Sequence, residues 1–125
     1  MVVLFRKFVN LLPESIRGKL PRKVVVEEIS LQEAQRLNRL YRRKNKPANV
    51  LSFRYADDYG EILVCSAVIR REAKKQGNSY KYQMTWMIVH GMLHLAGLHH
   101  EKSKIIAERT KALEEKILKK VWLET

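Results

Sequence analysis

From Leu31 the apolar residues recur at helical intervals: Leu31, Ala34, Leu37, Leu40 and Tyr41, with Arg36, Arg39, Arg42 and Arg43 elsewhere around the cylinder. That period predicts an amphipathic helix. Ser30 is a suitable N-cap, and Glu33 three residues later completes a capping box. Pro47 closes the segment and pushes Lys46 toward extended geometry. Before this helix, residues 23–29 (KVVVEEI) are β-branched and short, which predicts a strand. After it, residues 50–55 (VLSFRY) and 61–68 (EILVCSAV) predict two more, joined as a hairpin through Asp57, Asp58 and Gly60. Residues 70–76 predict an exposed helix ending at Gly77. Residues 80–95 are almost continuously apolar, which predicts a helix through the core, ended by Gly97. Ile105, Ile106, Leu113, Ile117, Leu118 and Val121 predict a last amphipathic helix over 102–123. Residues 2–12 fit either a strand or a short helix.

The elements mix rather than alternate strictly, so the fold class is α+β: a mixed sheet of three to four strands, a central apolar helix and flanking helices. No repeat or low-complexity linker divides the chain, and residues 1–125 are expected to form one domain. The 125 residues suffice for a core without staples, and the single Cys65 rules out an intramolecular disulfide and suits a reducing cytosol. The longest apolar stretch, residues 84–98, contains two histidines and falls short of the ~20 residues a membrane span needs. The opening apolar residues run at once into Arg6 and Lys7, the wrong order for a signal peptide. The expected location is cytoplasmic.

The chemistry is concentrated in one place. All four histidines, His90, His94, His99 and His100, fall within eleven residues. One histidine on an apolar helix is ordinarily a satisfied core residue. His90 and His94, four apart, lie about 40° and one turn from each other, so both rings leave one face at a separation that a single metal ion bridges. On a straight helix His100 would lie about 9 Å further on and face elsewhere, but Gly97 permits a sharp turn that folds a third ring back. Three neutral imidazoles with an open fourth position are the ligand set of a catalytic zinc site, with one ion per chain expected. The spacing also matches the elongated zinc-protease motif, except that Gly91 stands where that motif carries its glutamate base. His99 stands as an exposed residue, an alternative ligand or a supporting group.

The segment His90-Gly-Met-Leu-His94-Leu-Ala-Gly97-Leu-His-His100 resembles the signature of the YbeY family, bacterial zinc-dependent endoribonucleases of ribosomal RNA maturation. The resemblance includes residues 41–53 (YRRKNKPANVLSF), Gly60-Glu61-Ile62 and Glu72-Ala73, and spans about residues 23–120. It implies that His90, His94 and His100 hold zinc and that Arg42 is the family's functionally critical arginine. The implied substrate is a single-stranded ribosomal RNA precursor, in a setting at the small ribosomal subunit and its proteins. The chain departs from the family pattern in having His99 for Asp, Arg43 for Gly, Arg54 for Pro and Glu61 for Asp, with a short loop over 54–59.

Charge strengthens the polyanion expectation. There are 25 Lys and Arg against 13 Asp and Glu, a net +12, and the cations are spread through the chain. In the last helix Glu108, Glu114 and Glu115 offset them, as on an ordinary solvated face. Residues 42–46 differ: Arg42, Arg43, Lys44 and Lys46 stand with no acid among them, and are expected to contact RNA beside the metal. Tyr41, Phe53, Tyr55 and Tyr59 are candidates for base stacking, or else hairpin and core residues. The expected activity is hydrolysis of RNA phosphodiester bonds, with Arg42 clamping the scissile phosphate and Glu61, Glu101 or His99 as base. The alternatives are a zinc metallopeptidase-like hydrolase and a non-catalytic, zinc-containing ribosome-assembly factor.

Overall fold

A computed structural model describes residues 9–98 and 104–124. His99, His100 and Glu101, and residues 2–8 of the opening segment, lie outside the described residues. The described chain runs α1 (Glu14–Arg17), β1 (Lys23–Glu28), α2 (Leu31–Arg42), β2 (Val50–Ala56), β3 (Tyr59–Val64), α3 (Ser66–Gln76), α4 (Tyr80–Leu95) and α5 (Lys104–Glu124). The α+β expectation holds, with three strands among the described residues. The predicted last helix is observed as Lys104–Glu124, residues 102 and 103 lying outside the described ones, and the four-residue α1 was not foreseen.

The sheet order is β1-β3-β2, with β3 parallel to β1 and antiparallel to β2. Alternation along the strands divides the core between two faces. Val24, Val26, Val50, Ile62 and Val64 join the main core, whereas Leu51 and Leu63 face the other way and pack with Leu37 and Ala48. α4 covers the first face and α2 the second. α4 is buried nearly all round, through Met87, Ile88, Val89, Met92, Leu93 and Leu95, because it packs against β2, β3, α3 and α5 together.

The helix ends follow local chemistry. Ser30 Oγ accepts from Glu33 N at 3.1 Å, as predicted, while the Glu33 carboxylate turns to Arg36. Ser79 Oγ likewise accepts from Tyr82 N at 3.1 Å and starts α4. The chain leaves α4 through a Schellman turn: Leu98 N donates to Leu93 O at 2.9 Å and Gly97 N to His94 O at 3.0 Å, with Gly97 at φ 88°.

One strand prediction needs correcting. Residues 66–68 were expected to continue the strand from Glu61, but β3 ends at Val64 and α3 begins at Ser66. The reason is the partner. Val64 pairs with Val50, the first residue of β2, so beyond it β3 loses its neighbour on that side. Cys65 N still bonds Asn49 O at 2.9 Å, and the chain then turns into the helix.

Candidate metal centre

Two of the three expected ligands are among the described residues. His90 and His94 leave the same side of α4 with ring centroids 4.4 Å apart and planes tilted by 43°. Both are half-buried, unlike the surrounding apolar residues of the helix. The Nδ1 of His90 is bonded to Oε1 of Glu114 on α5, and Trp86 Nε1 donates to the other oxygen, Oε2, at 3.1 Å. A carboxylate on Nδ1 leaves Nε2 as the atom that would face a metal. Two imidazoles one turn apart, with a carboxylate behind one of them, fit a divalent, nitrogen-preferring ion. No group of three potential ligands converges among the described residues, and the third expected ligand, His100, lies outside them.

The backbone beneath these rings is tightly packed. Gly91 is buried, and a Cβ there would stand 2.9 Å from Ile62 Cγ2 and 3.0 Å from Ser52 Oγ. Ser52 Oγ also donates to Gly91 O at 3.1 Å. A Cβ at position 91 would therefore require Ile62 or Ser52 to move, and the glutamate of the zinc-protease motif has no room there.

His94 opens into a groove of about 460 Å³ lined by Lys19, Ser52, Arg54, Leu95, Ala96 and Gly97. Arg54 is held in place: its Nη1 donates to Lys19 O at 2.5 Å and to Leu95 O at 2.9 Å. On the other face of β2, Tyr41, Phe53, Tyr55 and Tyr59 form a continuous aromatic row. Consecutive centroids lie 5.0, 6.3 and 5.5 Å apart, and Tyr41 and Tyr55 are exposed. The groove along this row includes Glu33, Glu61 and again Ser52 and Arg54. Among the described residues β2 is an edge strand, and the two grooves meet along it at Ser52 and Arg54. Tyr55 Oη donates to Glu61 Oε1 at 3.0 Å. Desolvation and this carboxylate together push the Tyr55 hydroxyl up to about 12.

Arg42, Lys44 and Lys46 are exposed and line a third cavity with Asn38, Asn49 and Glu72, and no residue lining it also lines the His94 groove. Arg43 is exposed beside them, in the left-handed conformation at φ 58°, where it caps α2. The cations lining the His94 groove are thus Arg54, marked in the sequence as a departure from the family pattern, and Lys19, which nothing in the sequence marks.

A family model described as Endoribonuclease YbeY matches residues 2–122. The Endoribonuclease YbeY of Nitrosomonas eutropha is 38% identical over 120 residues, 92% of this chain and 79% of its own length. This chain belongs to the YbeY family. The YbeY of Thermosipho melanesiensis is 31% identical over 118 residues, 91% of this chain and 86% of its own. A solution structure of a Thermotoga maritima protein shares the fold at a TM-score of 0.66 and 28% identity, over 98% of this chain and 84% of that one. The departures noted in the sequence now have places within a YbeY fold. Arg43 stands at a positive-φ cap, where glycine costs least, and Arg54 lies in the groove of His94.

Proposed function

We propose that this chain is a metal-dependent endoribonuclease that cuts single-stranded RNA, with ribosomal RNA precursor as its substrate and the small ribosomal subunit as its setting. His90, His94 and His100 would hold one zinc ion, which would supply Lewis acidity to a phosphoryl oxygen and to a nucleophilic water. The observation that carries this reading is the meeting of two grooves at β2: paired imidazoles with a fixed guanidinium on one side, an exposed aromatic row on the other.

The chain's own residues bind and orient the RNA. The aromatic row offers ring faces to unstacked bases, which duplex RNA does not present. Arg54, tied to two backbone carbonyls, holds a phosphate beside His94 with little loss of side-chain freedom on binding. Arg42 clamps the scissile phosphate, and Arg43, Lys44 and Lys46 contact the backbone further along. Glu61 lies in the aromatic groove, within reach of substrate bound there. A peptidase reading lacks its base at Gly91. The location that suits this activity is the cytoplasm.

The test is cleavage of single-stranded RNA, duplex RNA and casein by wild type, His94→Ala, Arg42→Ala and Arg54→Ala. Cutting of the single strand alone is expected, abolished by His94→Ala. Arg42→Ala should keep zinc and fold but lose cleavage by 100-fold or more, on the order of the loss of one charge-stabilising donor. If Arg54→Ala loses cleavage instead while Arg42→Ala loses only affinity, the clamp is Arg54. Casein cleavage without RNA cleavage contradicts the nuclease, and zinc binding with no cleavage of either leaves an assembly factor.

A further inference from the structure

We propose that Glu114 is a positioning residue of the metal centre, which fixes His90 as the Nδ1–H tautomer and aims its Nε2 at the ion. The proposal rests on the reading of His90, His94 and His100 as metal ligands.

Glu114 does not belong to the solvated face of the last helix on which its charge first suggested placing it. It lies in the inward stripe of α5 with Thr110, Ile117, Leu118 and Val121, and is only 4% exposed. A carboxylate so far from water is costly unless both oxygens are bonded. Here both are, each with a described partner on α4: Trp86 Nε1 to Oε2, His90 Nδ1 to Oε1. Trp86, His90 and His94 follow one another at four-residue intervals and form one stripe of that helix.

An ionised carboxylate only accepts hydrogen bonds, so the proton must sit on Nδ1 of His90. In the neutral ring the lone pair is then on Nε2, the atom turned away from Glu114. The indole holds the second oxygen, which fixes the plane of the carboxylate and through it the plane of the imidazole. A carboxylate placed behind a ligating histidine in this way sets its orientation and raises its basicity, and losing it costs about 10–100-fold in metal affinity. A plain tie between α4 and α5 would influence stability and leave affinity and tautomer untouched.

The experiment strips the full chain of metal with a chelator and measures zinc affinity against a chromophoric competitor for wild type, Glu114→Gln and Trp86→Phe. Long-range 15N–1H spectra of the metal-free proteins at about pH 8, where ordinary imidazoles are neutral, read the His90 tautomer. The expected wild type binds zinc and shows the Nδ1–H form. Glu114→Gln keeps its circular dichroism, binds zinc about 10–100-fold more weakly and gains the Nε2–H form. Trp86→Phe leaves the carboxylate but frees one oxygen, and affinity falls several-fold; it decides the matter if Glu114→Gln does not fold. Affinities equal to wild type in the folded variants, or an Nε2–H His90 in the wild type, overturn the proposal. A wild type that binds no zinc overturns the metal reading itself, and this proposal with it.

Discussion

Gly91 shows how one residue settles a choice between chemistries. The sequence showed that the protease base was missing but not why; the reason is the contact of α4 with Ile62 and Ser52, which leaves no room for a Cβ. Alanine ordinarily stabilises a helix interior by about 1 kcal/mol over glycine. Here the Ile62 side chain, fully buried, must move to admit the methyl, an overpacking cost of about 1–3 kcal/mol. Gly91→Ala should therefore lower stability despite the better propensity, as a reduced urea midpoint; a raised midpoint would contradict the packing account. Tyr55 makes a second claim at this scale. Its hydroxyl is pushed above the ordinary tyrosine value of 10 to about 12, so the linked stability is complete below pH 10 and lost as pH rises through 12. The residue is 59% exposed, so solvent screens the effect and the lost stability is small. Absorbance at 295 nm should show one tyrosine titrating late, moved back toward 10 in Glu61→Gln. Glu114 was misplaced for a simple reason: counting charges put it on a solvated face, although Thr110, Glu114, Ile117 and Val121 already spell the buried spacing. A carboxylate inside an apolar stripe was the available signal.

Among the elements, α2, β1, β2 and α4 were legible because each carries its own boundary: Ser30, a β-branched run, a hairpin, the Gly97 stop. The end of β3 was not, since residues 62–68 are apolar but for Ser66 and periodicity cannot tell a strand from a buried helix there. Pairing ended it, through the Val50–Val64 register. The exit from α4 is the element on which the site depends most. Gly97 takes φ 88° two residues before His99, and no described atom lies within 4 Å of the Cβ it lacks. Among the described residues Gly97→Ala thus meets no clash and costs backbone strain of about 1 kcal/mol. If that turn presents the third ligand, the variant should stay folded yet bind zinc more weakly. Unchanged affinity would separate the turn from the site.

For the molecule as a whole, the sign and size of the charge were legible in the sequence and its layout was not. Residues 42–46 were expected beside the metal; among the described residues Arg42, Lys44 and Lys46 line one cavity, and Arg54 and Lys19 line the groove that His94 shares. Which residues share a groove depends on how α2 and β2 pack, and no local pattern encodes that. A net charge of +12 spread over several surfaces predicts binding dominated by phosphate neutralisation. The affinity for single-stranded RNA should fall with salt by about 0.7 of a power per phosphate contacted, and a salt-insensitive affinity would contradict this. The central claim is the metal centre, because the nuclease reading and the role of Glu114 both stand on it. Elemental analysis of the gently purified chain tests it most directly. One zinc per chain in the wild type, lost in a folded His94→Ala, is the predicted result; a wild type that carries no metal and takes up none when zinc is added would contradict it.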